Sequence, residues 1–271
     1  MLVLAATPIG NLGDASRRLM EVLASASVIA AEDTRVAHRL LAGLHVETSA
    51  RLVTVNEHTE VAASAALLEA AREGDVVLVS DAGMPTVSDP GYALVRAAIA
   101  AGVQVTAVPG ASAVLTALAL SGLPTDRFAF EGFPPRKPGE RTRFLRTLVA
   151  EPRTTVLFES PNRTASLLAA MVEVFGPDRQ VVVARELTKL FEEVVRGPVA
   201  EVAAWAEGGV RGEVVVVLAG AAEVPPDAES GLAEVLALVA GGSRLKDATA
   251  EVAARTGLSR KSLYDAALAA R

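Results

Sequence analysis

The chain contains no cysteine. That excludes disulfides, thiolate metal ligands and cysteine nucleophiles, and it suits a reducing compartment. Aromatic residues make up only 4% of the 271 residues, too few for an extended platform on which bases stack. The histidines, His38, His45 and His58, lack metal-ligand spacing, so no metal site is expected. No apolar run is long enough to span a bilayer. The opening Leu2-Val3-Leu4-Ala5-Ala6 stops at Thr7-Pro8 without a basic flank, so neither a signal peptide nor a membrane anchor is expected. Two phosphate-binding motifs are missing as well. Without G-x-x-x-x-G-K-[ST], a P-loop NTPase is unsupported. Without G-x-G-x-x-G after the first apolar run, so is an ordinary dinucleotide or Rossmann-type methyltransferase site. The expectation is a soluble, cytoplasmic globular protein.

Hydrophobic residues account for 51% of the chain, enough for two modest cores and an appendage. Lys and Arg number 26 against 32 Asp and Glu, a net charge of −6. Such a balance argues against a protein that coats nucleic acid indiscriminately. The charge is unevenly spread, however. Residues 127–163 hold eight basic and four acidic groups, and residues 244–271 hold six and three, while the rest is acidic. Local basic patches can steer a polyanion while the acidic remainder limits indiscriminate binding.

The first half alternates short apolar runs with amphipathic stretches. Strands are predicted at Leu2–Ala6, Val28–Ala31, Leu52–Val55, Val76–Ser80 and Val103–Val108, with helices such as Ser64–Glu73 and Tyr92–Ala101 between them. Val-rich strands separated by helices predict a parallel sheet covered on both faces. Beyond Gly122-Leu123-Pro124 the style changes. Strands are predicted at Phe128–Glu131, Thr154–Phe158, Gln180–Ala184, Phe191–Arg196 and Glu213–Ala219, only some separated by helices, so a mixed sheet is expected. Glu223-Val224-Pro225-Pro226-Asp227 reads as a linker. The tail, Ser230–Arg271, holds three short helical patterns, with Ser243 and Ser259 as caps and Gly257 as a turn, the outline of a helix-turn-helix. The α/β chain thus divides into residues 1–122, 123–222 and a helical module at 230–271.

Ligands of parallel sheets bind beyond the carboxyl ends of the strands, and the loops there carry the unusual residues. The longest is Asp81-Ala82-Gly83-Met84-Pro85-Thr86-Val87-Ser88-Asp89-Pro90-Gly91. Small residues let backbone approach a ligand closely, and two carboxylates stand ready for a cation or ribose hydroxyls. The plainer alternative is an Asp/Pro/Gly turn capping the next helix. Glu159-Ser160-Pro161-Asn162-Arg163 and Arg185-Glu186-Leu187-Thr188-Lys189 crowd acid and base at later strand ends. They read either as surface ion pairs or as a polar cleft for an anionic substrate.

The loops taken together resemble a known family. Thr7-Pro8-Ile9-Gly10-Asn11-Leu12, Ala31-Glu32-Asp33-Thr34-Arg35, Ser80-Asp81-Ala82-Gly83-Met84-Pro85, Ser88-Asp89-Pro90-Gly91, Val108-Pro109-Gly110, Gly132-Phe133, Glu159-Ser160-Pro161, Arg163 and Arg185-Glu186-Leu187-Thr188-Lys189 stand in its order. They are similar to the ribosomal RNA small subunit methyltransferase I family, within the tetrapyrrole methylase superfamily. The resemblance runs from about Leu2 to Ala219, and the tail is similar to that family's C-terminal helical module. Met84 stands where threonine is common, Asn162 where histidine is, and Phe158 where tyrosine is.

The resemblance implies S-adenosyl-L-methionine-dependent 2′-O-methylation of a cytidine in small-subunit ribosomal RNA, by a two-domain homodimer with the cofactor in a cleft. Carried onto this chain, it implies cofactor contacts at Pro8, Asp81, Ala82, Gly83, Met84, Pro85, Val87, Ser88, Asp89, Ala111, Ser112 and Ala113. Looser matches add Ser160, Leu187 and Glu213. A ribose hydroxyl attacks only when its proton is taken or its developing charge is matched. The candidates for the proton are Glu159 first, because it stands at a strand end, then Glu57 and His58. Lys189 and Arg185 are candidates for stabilising charge and holding phosphate, although alignment alone could suffice. Arg35, Arg136, Lys137, Arg141, Arg143, Arg146, Arg163, Arg244, Lys246, Arg260 and Lys261 are the candidates for contact with RNA, within the 30S particle. Two rival readings stay open: a methyltransferase acting on a tetrapyrrole precursor, and a ligand-sensing regulator whose tail binds DNA.

Overall fold

The computed structural model describes residues 1–56, 59–222 and 228–270. The expected linker and the candidates Glu57 and His58 lie outside the described residues. The chain forms two compact units, Met1–Gly220 and Ala221–Arg271.

The first sheet is built from β1 (Leu2–Ala5), β2 (Val28–Ala31), β3 (Arg51–Thr54), β4 (Val76–Val79) and β5 (Val105–Val108). Its order is β3-β2-β4-β1-β5 and every pairing is parallel. The central strands are continuous apolar runs because helices cover both faces. One face packs Leu19 and Leu23 of α1 (Arg17–Ser25) and Leu41 over Ile29 and Val77, and the other packs Leu67, Leu94 and Ala98 over Leu2, Val76 and Leu78. The chain crosses from β1 to β2 and from β4 to β5 over an intervening strand. The carboxyl ends of β1, β4 and β5 therefore meet at a switch point, where parallel sheets open a crevice.

Polar side chains start the helices that leave this edge. Asp33 caps α2 (Thr34–Gly43) by accepting from the Arg35 amide at 2.8 Å, and Ser112 caps α5 (Ala113–Ser121) by accepting from the Leu115 amide. The start of α4 (Tyr92–Ala100) is served from a distance. Gly91 offers no side chain, and the buried Glu60 of α3 (Glu60–Glu73) accepts from the Leu94 amide at 2.8 Å.

The second sheet comprises β6 (Phe128–Phe130), β7 (Thr154–Glu159), β8 (Gln180–Arg185), β9 (Glu193–Pro198) and β10 (Val214–Leu218). Its order is β6-β7-β10-β8-β9. It is mixed, since β6 runs parallel to β7 and the other pairs are antiparallel. On one face Leu167, Leu168 and Met171 of α7 (Pro161–Phe175) and Val199 and Val202 of α8 (Val199–Ala206) bury Leu157, Val183 and Val216. The other face receives α5. Its Val114, Ala117 and Leu118 pack with Ile9 against Val156, Val182 and Val215. That helix joins the two sheets into one unit, so the loops at the edge of the first sheet confront the strands of the second.

The second unit holds α9 (Ala228–Ala240), α10 (Leu245–Thr256) and α11 (Arg260–Ala269) around Val235, Ala248, Val252 and Leu263. Gly257 ends α10 with φ 73°, and Ser259 caps α11 by accepting from the Ser262 amide, both as expected. Ser243 does not cap α10. The helix begins one residue later, with Arg244 at the cap position and no side-chain hydrogen bond there.

Candidate active site

A cleft of about 430 Å³ opens between the edge loops of the first sheet and β7, β10 and the loop after β8 in the second. Of the expected cofactor contacts, Ala82, Gly83, Met84, Val87, Ser88, Asp89, Ser112, Ala113, Ser160, Leu187 and Glu213 line it, together with Glu159. Pro8, Asp81, Pro85 and Ala111 do not. Pro8 and Pro85 are buried, and Asp81 turns toward α2, accepting from the Asp33 amide at 3.3 Å. Ile9, Phe133, Phe158 and Val215 complete an apolar wall that the loop motifs did not single out as contacts. Phe158 meets Phe130 and Phe133 edge to face at 4.8 and 5.5 Å, and Phe133 remains 59% exposed.

The long loop after β4 is tied back to β1. The Thr7 amide donates to the Gly83 carbonyl at 2.9 Å, and the Gly83 amide returns a bond to Thr7 at 3.2 Å. Gly83 holds φ 86°, which explains the glycine. Thr86 and Ser88 adopt φ 75° and 66°, and across the cleft Glu186 and Thr188 adopt 51° and 67°. Among the described residues, His45 is the one other non-glycine with positive φ. Strain of this kind costs roughly 1–3 kcal/mol per residue and gathers where ligands are held.

Charge at the site is mostly paired. The Glu159 side chain has no exposed surface. Its Oε1 accepts from the Ser160 amide at 2.7 Å, and its Oε2 lies 3.0 Å from the Arg163 guanidinium, close enough for an ion pair but off the line of a hydrogen bond. Arg163 spends its remaining reach on the Pro134 carbonyl at 2.8 Å, fastening the Pro-rich loop rather than facing solvent. Lys189 pairs with Glu186 at 2.8 Å and with Glu213 at 3.1 Å. Burial draws the lysine down, but these two bonds outweigh it and hold it above its ordinary range. The hydrogen bond from Lys189 holds Glu186 low. Arg185 pairs with Glu193 at 2.6 Å. Asp89 differs. Burial, reinforced by the charge of Asp81 and opposed by the Ser80 hydroxyl, pushes it up to about 6.

The basic candidates part company. Arg136, Lys137, Arg143 and Arg146 are exposed on α6 (Pro138–Thr147) and the loop before it. Arg141 is not. It is 8% exposed and donates to the Ser166 hydroxyl at 3.1 Å, so the expectation that it meets RNA is corrected. It lies four residues before the buried Leu145 and seven before the buried Leu148, on the core-facing side of the helix. Arg35 is exposed, and its guanidinium binds the Asp33 carboxylate at 2.6 Å, holding that aspartate down to about 2. In the second unit, Lys246, Arg260, Lys261 and Tyr264 line an open concavity of their own, and Arg244 is exposed. No group of three or more His, Asp or Glu suited to a metal occurs among the described residues. Nor is any helix there long and apolar enough to cross a membrane.

The tetrapyrrole (corrin/porphyrin) methylases match residues 1–203, and the RsmI C-terminal HTH domain matches residues 224–271. A protein from Mycobacterium tuberculosis (strain ATCC 25618 / H37Rv) named "Ribosomal RNA small subunit methyltransferase I" is 52% identical over 100% of this chain and 95% of its own. Its namesake from Escherichia coli O157:H7 is 42% identical over 98% and 94%. The chain belongs to the ribosomal RNA small subunit methyltransferase I family. Solved structures agree on the fold. The methyltransferase CobJ superposes with a TM-score of 0.62 at 23% identity, over 82% of this chain and 94% of its own. Diphthine synthase gives 0.60 at 20%, over 81% and 90%. Uroporphyrin-III C-methyltransferase from Thermus thermophilus, complexed with S-adenyl homocysteine, gives 0.56 at 23%, over 80% and 96%. This chain thus shares its two-sheet fold with these methyltransferases, and its residues 224–271 match a further helical domain.

Proposed function

We propose that the protein methylates the 2′-hydroxyl of a cytidine ribose in small-subunit ribosomal RNA, using S-adenosyl-L-methionine. The observation that carries this reading is the full-length likeness to proteins named for that RNA, tail included. It favours RNA over a tetrapyrrole precursor, which has no need of a helical tail, and over a DNA-binding regulator, which has no need of a methylase cleft.

The cleft suits the cofactor. Its volume falls within the range of small-molecule sites, and its apolar wall at Ile9, Val87 and Leu187 suits a thioether chain and a purine. Its carboxylates are compatible with a sulfonium cation. Bound there, the cofactor supplies an electrophilic methyl group. Backbone from Ala82 to Met84 and from Ser112 to Ala113 lies against it on one side, and Ser160, Leu187 and Glu213 on the other. Pro8, Pro85 and Ala111 support those loops from behind. The strained loops fix the ligand's orientation, and the closed apolar wall excludes water from the reacting atoms.

RNA approaches along the exposed Arg136, Lys137, Arg143 and Arg146, with Phe133 offering an exposed aromatic face at the mouth of the cleft. The concavity of Lys246, Arg260, Lys261 and Tyr264, with Arg244, supplies further phosphate contacts from the tail. Arg35 adds another where its pair with Asp33 opens. Residues 1–122, 123–222 and 230–271 act as the three functional divisions of a cytoplasmic homodimer, and the substrate is rRNA within the 30S particle.

The test is mass spectrometry of ribonucleosides from small-subunit rRNA of a strain lacking the protein. One 2′-O-methylcytidine should disappear and return when the purified protein and S-adenosyl-L-methionine are added to the isolated subunits. An unchanged nucleoside profile refutes the reading.

A further inference from the structure

Three carboxylates border the cleft, and they differ in what already occupies them. Glu159 is wholly enclosed, with one oxygen on the Ser160 amide and the other against Arg163. Glu213 is 73% exposed and bound to Lys189, which it shares with Glu186. Asp89 is half-buried and has a hydroxyl and a like charge for neighbours, with no Lys or Arg in ion-pairing range among the described residues. It follows Ser88, whose φ of 66° re-aims the chain, in a loop pinned to β1 at Gly83 and continued by α4, whose Leu94 amide is held by Glu60 of α3.

We infer that Asp89 accepts the proton of the attacking hydroxyl, which moves it from the cofactor's side of the cleft to the reacting atoms. The inference rests on the 2′-O-methylation reading above. In the step, the ribose oxygen gains the methyl carbon while the bond from that carbon to sulfur breaks. The bonding pair stays on sulfur, neutralising the sulfonium, and the hydroxyl proton passes to an Asp89 oxygen. A carboxylate paired with arginine is a poor acceptor because protonation would strand the cation, whereas protonating Asp89 relieves burial and its repulsion from Asp81. Its acidity near 6 suits the task, ionised at neutral pH yet more basic than an exposed carboxylate. The charged groups around it leave that balance intact. Asp81 stands in the same loop. On the other wall Arg163 neutralises Glu159, and Lys189, shared by Glu186 and Glu213, leaves that cluster one net negative charge, so none of these groups offers Asp89 a free cation.

The experiment compares full-length Asp89→Asn and Asp89→Glu with the unaltered protein. The readouts are single-turnover transfer of labelled methyl to 30S subunits lacking the modification, calorimetric binding of S-adenosylhomocysteine, and carbon-13 NMR titration of the Asp89 carboxyl. The expected result for Asp89→Asn is a rate at least about 100-fold lower with S-adenosylhomocysteine affinity within about threefold. The unaltered protein should lose rate as pH falls through about 6, in step with its Asp89 titration. That limb should vanish in Asp89→Asn and return in part in Asp89→Glu. Retention of the rate within about fivefold in Asp89→Asn overturns the assignment, as does a parallel loss of S-adenosylhomocysteine affinity, which would make Asp89 a cofactor contact. If the unaltered protein transfers nothing to these subunits, the methylation reading itself falls and the assignment falls with it.

Discussion

The aliphatic stem of Lys189 lies across Gly10, so closely that a methyl group on that glycine would sit 2.6 Å from the lysine Cγ and 2.7 Å from its Cε. Gly10 belongs to the loop after the first strand of one sheet, and Lys189 to the loop after a strand of the other. The contact carries the lysine to Glu186 and Glu213 at the rim of the cleft.

Replacing Gly10 with Ala should therefore act through the lysine. The side chain must swing aside and release both carboxylates, and the φ of 154° resists any residue with a Cβ. We expect a loss of about 1–2 kcal/mol of stability and at least about tenfold weaker S-adenosylhomocysteine binding. Adding Lys189→Ala should recover only the part of the loss that comes from the clash with that side chain, leaving the backbone strain at φ 154°. Denaturant unfolding and calorimetry of the single and double variants measure the coupling.

Asp89 predicts its own signature in stability. Its folded pKa of about 6 exceeds the ordinary 3.8, so the folded state binds its proton more tightly than the unfolded chain does. The carboxylate therefore destabilises the fold above about pH 6, and the effect fades as pH falls to the ordinary value. Asp89→Asn should stabilise the protein by about 1–2 kcal/mol at pH 7.5, after allowance for solvent screening, and by nothing near pH 4. Urea midpoints across that range should show the gap opening as pH rises. A constant gap would point to packing rather than ionisation.

The arginines of the sixth helix should separate cleanly. Arg143→Gln with Arg146→Gln removes two exposed charges, so the slope of RNA affinity against salt should flatten by roughly 1.5 while stability holds. Arg141→Gln should leave the slope alone and cost about 1–2 kcal/mol, because it disturbs a buried contact with Ser166. Filter binding over a salt series and thermal unfolding distinguish the two classes.

Alternation of apolar and amphipathic runs made both sheets legible in the sequence, and the strand limits moved by only a residue or two. Phe191–Arg196 shifted to Glu193–Pro198, since Leu190 and Phe191 stay exposed and pairing with β8 starts only at Glu193. The cap of the tenth helix was misread because Ser243 satisfies a cap by type alone, and nothing local shows that the helix starts a residue later. Arg141 was legible after all. Its spacing of four and seven from Leu145 and Leu148 marks the buried stripe, a signal that counting charge passes over. Ile9, Phe158 and Val215 were hidden for a different reason. An apolar residue that walls a cleft follows the same period as one that fills a core, so only the tertiary structure separates them. Ion pairing stood as one of two readings for the Glu159 and Arg185 loops, but nothing in the sequence showed that Asp89 would differ from Glu159 in lacking a cationic partner.

The start of the fourth helix depends on Glu60, a residue thirty-four positions away that never touches the cleft. A survey of random variants would score Glu60 as a ligand contact, since losing its acceptor frees the exit of the longest cleft loop. Distance from the bound molecule is therefore a poor guide to which positions in this fold govern affinity.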